Sequence, residues 1–265
     1  MADINLKSET IDKAIDTFGK PLYDDVAKPA IQTSKNGLSF CSQFIVSGIK
    51  PFMYSRIKEC EYKIKEIDRK LEEKYNCIPD QNKIEPRTNI LGPAVDVLKY
   101  NLEEEHIKEM FINLIGNDMD ITQQSKVLPS YIEIVKQLSK NDAEFITNLK
   151  SNNLIDELPI IKLKLVSNEN SSFNYISPSF ICLSDGNYLE IPQLILDNLI
   201  RLQILEVDYE TFFKDETNYN KSFENLKNDS RFIQYSKTQT KHLKPKKGLL
   251  LFTNFGKNFI DICLS

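Results

Sequence analysis

The chain has no tryptophan, only two histidines and only eight glycines in 265 residues. His106 and His242 are too few for a histidine-rich metal site, and any Ser-His-Asp arrangement would have to use one of them. Few glycines mean few turns that need an unusual backbone, which suits a helix-rich chain better than a barrel or sandwich. The five cysteines (Cys41, Cys60, Cys77, Cys182 and Cys263) form no CxxC pair. They read as reduced thiols used as small apolar residues, in a cytoplasmic setting. Long apolar runs are also missing. Met1 to Lys20 is too polar for a signal peptide. Gly37 to Tyr54 is interrupted by Ser39, Ser42, Gln43, Ser47 and Lys50, short of the roughly 20 apolar residues that span a bilayer. It reads as a buried helix, with a helix lying on a membrane as the alternative. Nor is there an excess of positive charge: 34 basic against 38 acidic residues give a net charge of -4. That balance argues against a surface coated for nucleic acid. No G-x-x-x-x-G-K-[ST], G-x-G-x-x-G or H-E-x-x-H occurs. No cofactor, metal or catalytic residue is expected, and a non-enzymatic role is favoured.

Helical spacing is present in abundance. Ile11, Ile15, Phe18, Leu22, Val26 and Ile31 recur with that period, punctuated by Pro21 and Pro29. Ile57, Cys60, Ile64, Ile67 and Leu71 alternate steps of three and four, and Glu59–Lys63, Glu61–Lys65 and Glu66–Lys70 place an acid four residues before a base. These predict one long amphipathic helix, packed within the chain or used for homo-oligomerisation. Residues 76–92 read as a connection. The boundaries expected are 1–80 for an N-terminal helical region and 81–265 for the remainder.

In residues 89–120, Pro93 suits the first turn of a helix and Glu103, Glu104 and Glu105 the first turn of the next. That second helix carries Ile107, Met110, Phe111, Leu114 and Ile115 on one stripe and is expected to stop at Gly116. Three adjacent helical glutamates point in different directions and cannot converge on one ion. Asp118 and Asp120, and Asp24 and Asp25, are acid pairs of the kind a carboxylate nuclease site would use, but turn chemistry accounts for the first pair. Tyr131, Ile134, Val135 and Leu138 mark a third helix, and Ser139 with Asp142 an S-x-x-D start for a fourth. Ile161, Leu163 and Leu165 alternate with Lys162 and Lys164, as in a strand.

The C-terminal part reads as a helix with Leu194, Ile195, Leu199 and Leu202 inward, a strand at 205–209, a strand at 249–253 and a terminal helix. Helix, strand, strand, helix is a winged-helix layout, with a wing insertion at about 211–246. The fold class expected is therefore mainly α: an N-terminal helical region and a winged-helix-like α+β C-terminal region. Between Ser230 and Ile260 stand seven bases and no acid, among them Lys237, Lys241, Lys244, Lys246 and Lys247. These five are the candidate anion- or nucleic-acid-binding residues, against the plainer reading of a solvated basic loop. The expected recognition helix offers only Arg201, too little for base reading.

The stretches "EPRTNILGPAVDVLKY", "LEEEHIKEMFINLIGNDMD", "LPSYIEIVKQLSKNDAEFI" and "LLLFTNFGKNFIDIC" resemble the bacterial abortive-infection alpha family, with its "hPsfve.ikqLs..e" and "lT.fG..F...C" patterns. The resemblance runs from about Pro21 to Cys263. It implies a role in phage resistance. With no catalytic motif present, the expected function is that of a non-enzymatic interaction or sensor component engaging a protein partner or phage trigger. Nucleic-acid binding through the basic wing and a membrane-acting effector are the rival roles. It assigns no catalytic residues.

Overall fold

The computed structural model describes residues 57–167, 173–233 and 241–264. The helices expected before Ile57, and the apolar run 37–54, lie outside the described residues. The described residues hold eight α-helices and one five-stranded antiparallel sheet in the C-terminal half, a mixed α/β fold rather than a mainly α one. None of the described helices is long and apolar enough to cross a membrane. The chain divides into two compact units, one running to Gln137 and including Ile262–Ser265, the other Leu138–Asp261.

In the first unit, α1 (Ile57–Cys77) buries Ile64, Ile67 and Leu71, as the three-and-four spacing predicts. Helix α2 (Thr88–Leu98) starts five residues before Pro93, which therefore lies inside it, not at its first turn. Helix α3 (Glu105–Asp118) is buried on nearly every side and is the core of this unit. It runs past Gly116 to Asp118. Gly116 is not a stop but a close-packing position, where a Cβ would lie 2.9 Å from Cδ of Lys74. Helix α4 (Ser130–Gln137) buries Tyr131, Ile132, Ile134 and Val135.

The glutamates before and within α3 find partners on α1. Glu103 pairs with Lys63; Glu105 pairs with Lys70 at 2.9 Å and Lys108 at 2.6 Å; Glu66 pairs with Lys108 at 3.0 Å and Lys70 at 3.1 Å. Glu109 also contacts Lys70. Lys108 is 2% exposed, so its charge is desolvated, and the two carboxylates are what make that burial tolerable. A second buried charge organises the loops. Asp118, fully buried, accepts from the backbone N–H of Arg87 at 2.7 Å and from its Nε at 2.8 Å. Arg87 Nη2 reaches on to the carbonyls of Gln124 and Val127. The pair thus ties the start of α2 to the end of α3.

In the second unit, α5 (Lys140–Ser151) opens with the expected capping box of Ser139 and Asp142. Strands β1 (Leu158–Ser167), β2 (Phe173–Cys182), β3 (Tyr188–Ile191), β4 (Leu205–Asp208) and β5 (Lys241–Phe252) form the sheet, in the order β3-β2-β1-β5-β4. Helix α6 (Gln193–Arg201) precedes β4, α7 (Thr217–Asn228) precedes β5, and α8 (Asn254–Cys263) ends the chain. The winged-helix reading fails on β5. This strand runs twelve residues and pairs with β1 from Lys241 to Leu250, so the supposed wing is a central strand. The supposed insertion holds α7, whose Tyr219 and Leu226 are fully buried with Ile161, Leu163, Phe180 and Leu243. Tyr219 donates its hydroxyl hydrogen to the Gly248 carbonyl at 2.8 Å. On α6, Leu196 and Leu199 are buried, while Leu194, expected inward, is 82% exposed. At 100° per residue Leu194 lies about 160° from Leu196, on the opposite side of the helix.

Asp118→Ala should lower the unfolding free energy by roughly 3 kcal/mol in urea titration, because it strips Arg87 of its buried partner. The helix-pairing network predicts a pH effect. Burial pushes the Glu105 carboxyl up, but hydrogen bonds from Lys108 and Lys70 outweigh it and hold it at about 2, below its usual 4.5. A lowered folded value stabilises above the unfolded one and is lost as pH falls. The stability gap between the native chain and Glu105→Gln should therefore be full at neutral pH and close between pH 4.5 and about 2.

Candidate anion-binding face

Antiparallel pairing places Lys162 directly opposite Lys246 and Lys164 opposite Lys244. On the other side of β1, Lys164 faces Tyr175 and Val166 faces Phe173. Since side chains alternate along a strand, these seven residues, together with His242, share one side of the sheet. The ammonium of Lys162 stands 4.9 Å from the Tyr175 ring centre, and that of Lys164 stands 4.8 Å from Phe173 and 5.6 Å from Tyr175. Phe173 is 49% and Tyr175 43% exposed. Tyr209 borders the patch: its hydroxyl lies 3.2 Å from Ser179 Oγ, and Lys246 approaches its ring at 6.0 Å. Gly248 allows this approach, since a Cβ there would meet the Asp208 carbonyl oxygen at 2.6 Å and the Tyr209 ring at 2.7 Å.

Like charges directly opposite one another repel, and two such pairs stand side by side here. Lys246 has Glu210 at 2.9 Å. Its ammonium is held above its ordinary pKa chiefly by that hydrogen bond. No described carboxylate lies in ion-pair range of Lys162, Lys164 or Lys244. The patch is thus an array of four bases, three of them without an acid among the described residues, laid beside two exposed rings.

The five residues expected to form the site do not act together. Lys244 and Lys246 lie on this face. Lys247 lies on the other, bound to Glu216 at 2.7 Å and Asn220 at 3.2 Å. Lys241 begins β5, and Lys237 lies outside the described residues. Arg231, from the same basic run, is enclosed by Glu190 at 2.6 Å and Asp229 at 2.9 Å. The run is free of acids only along the chain; besides the adjoining Asp229, the fold supplies Arg231, Lys246 and Lys247 with acids from residues 31 to 41 positions away. Lys162 and Lys164 were legible as outward residues of a strand. Their place in the patch depends on the pairing with β5.

A separate cleft of about 860 Å³ opens between the end of α5, the start of β1, the β2–β3 turn and the segment before α7, lined by Asn148, Leu154, Cys182, Phe213, Asp215 and Asn218. Burial pushes the Cys182 thiol up to about 12, so it stays protonated and is a poor nucleophile. Among the described residues no group of three His, Cys, Asp or Glu side chains is arranged to hold a metal.

The geometry is that of a mixed α/β unit with a basic, aromatic sheet face. The chain belongs to the abortive infection alpha family, whose model matches residues 59–263. No curated protein and no solved structure matches it. The family-like patterns have structural causes. Thr253 caps α8 by accepting from the Gly256 N–H at 2.8 Å. Gly256 lies against Ile204, where a Cβ would be 2.1 Å from its carbonyl oxygen. Phe259 and Cys263 are fully buried. In the first unit, Asn113 and Asn117 donate to the carbonyls of Cys263 and Ile262 at 2.9 and 2.8 Å, satisfying orphan acceptors at a helix end.

Gly256→Ala should cost about 3 kcal/mol, because the clash is with backbone that cannot rotate away. Gly116→Ala meets only a flexible lysine stem and gains about 1 kcal/mol of helix propensity, so it should be neutral or stabilising. Urea midpoints of the two variants decide this.

Proposed function

We propose that the chain serves abortive-infection phage defence as a binding component, and that its working surface is the basic sheet face. The observation that carries this is the pair of opposed lysines, Lys162 with Lys246 and Lys164 with Lys244. A chain of net charge -4 gains nothing in solubility from bases set directly opposite each other across two paired strands. Scattered charges would serve that end without the repulsion. An anionic partner converts the repulsion into attraction, so the cost carried by the free protein is recovered on binding. The family supports the defence role, and the face supplies a contact through which a phage or host component is engaged.

Lys162→Gln, Lys164→Gln and Lys244→Gln, combined, should leave the melting temperature nearly unchanged. Loss of repulsion offsets the loss of exposed cation–π contacts, each about 0.5–1 kcal/mol. The variant should lose retention on heparin and phage protection together. Full protection in a variant that no longer binds heparin would sink the proposal.

A further inference from the structure

Resting on that reading, we infer that the anionic partner is single-stranded nucleic acid, with bases on Tyr175 and Phe173 and phosphates on Lys162, Lys164, Lys244 and Lys246. The argument starts from which strand carries which residue. On its outer side β2 pairs with β3 only from Ser179 to Cys182. Phe173 and Tyr175 therefore stand on a stretch of β2 with no described outer neighbour. An exposed strand edge is ordinarily protected by charge, lysine above all, while central strands have no need of it. Edge protection accounts for Lys244 and Lys246, because β5 pairs with β4 only from Leu249 to Phe252 and has no described outer neighbour along its lysines. It does not account for Lys162 and Lys164 on β1, which is paired on both sides, or for the aromatics at the opposite edge, so it does not explain the layout as a whole.

A single strand does account for it. Its phosphates repeat along one line and its bases project to one side. Lys162 and Lys164, two residues apart on β1, lie about 6.6 Å from each other along the strand, with Lys246 and Lys244 repeating that step beside them on β5. This is close to the step between phosphates of an extended strand. The rings stand one strand further out, on β2, where the bases would fall. Phe173 and Tyr175 meet edge to face, with centres 5.3 Å apart, so they offer two differently oriented surfaces. In the free protein the lysines cover those rings. At an exposed site that contact is weaker than a stacked base. Exchange of ammonium for base, with the ammonium moving to the phosphate, is therefore favourable for both groups. A duplex could use the lysines but not the rings, because its bases are already stacked on each other.

The experiment measures fluorescence anisotropy of a labelled oligodeoxynucleotide with the full chain, against its annealed duplex, heparin and phosphatidylserine vesicles as competitors. The single strand should bind more tightly than the duplex. Its affinity should fall with salt at a logarithmic slope of about -2 to -3 for three or four phosphates. Tyr175→Leu should weaken it roughly tenfold, and Tyr175→Phe should retain it, because a phenyl ring stacks as well. Melting curves of both variants check that the sheet is intact. If heparin and duplex bind as tightly as the single strand and Tyr175→Leu changes nothing, the single-strand inference is overturned while the anion-binding reading stands. If neither heparin nor any oligonucleotide binds at low salt, or only the vesicles do, the inference is overturned; absence of all anion binding overturns the earlier reading as well.

Discussion

Leu158 pairs with Leu250 and Ser167 with Lys241, and between those ends each residue of β1 faces one of β5. This register governs the second unit. It puts Ile161, Leu163 and Leu243 on the side covered by α7, and Lys162, Lys164, Lys244 and Lys246 on the side that stays accessible. Side chains alternate with period two, so a slip by one residue would turn the lysines into the core and the leucines outward. The buried cluster around Phe180 and Tyr219 thereby specifies the position of every base in the patch. Gly248 sustains the arrangement, because only a residue without a side chain lets β4 and Tyr209 come so close to β5.

The first unit meets a different constraint with similar means. Helix α3 is buried on nearly all sides yet carries Lys108, Asn113 and Asp118. Each of these has defined partners: Lys108 the carboxylates of Glu66 and Glu105, Asn113 the Cys263 carbonyl, and Asp118 the N–H groups of Arg87. Breaking such a pair costs more than forming it gains, since the remaining member keeps its desolvation penalty. The network therefore acts more as a selector of one helix arrangement than as a large source of stability.

What could be read from the sequence was what depends on neighbours along the chain. The α1 stripe, the capping box at Ser139 and Asp142, the α3 stripe and the alternation in β1 are local patterns, and each is present in the fold. The failures all involve distance. Gly116 looked like a helix stop because its packing partner, Lys74, is remote. Pro93 looked like a helix start because the Thr88 end of α2 has no side-chain cap to mark it. The winged-helix expectation arose because 205–209 and 249–253 were recognisable as strands while β2 was not. Without β2 and the long pairing of β5 with β1, two strands between helices resemble a wing. For the patch, Lys244 and Lys246 were picked from a local excess of charge, and that excess was mostly neutralised by acids from elsewhere. The informative signal was the match between two lysine-alternating strands, 161–165 and 243–247, which says nothing until they are known to be paired.

Sequences that fold well tend to agree with themselves at every level, and departures collect where a protein works. In the second unit the departures are concentrated. The buried helix faces, the capping box and the α7 cluster follow ordinary packing logic. The opposed lysines and the edge aromatics do not, and they occur within one short end of one sheet face. Repulsion between opposed charges is a standing cost to the folded state, and exposed aromatic rings are another. Each could be removed by single substitutions to polar residues at no loss of core packing. That both occur together, with the cations laid over the rings, is the arrangement expected where a charged and aromatic ligand completes a surface that the protein alone leaves unbalanced.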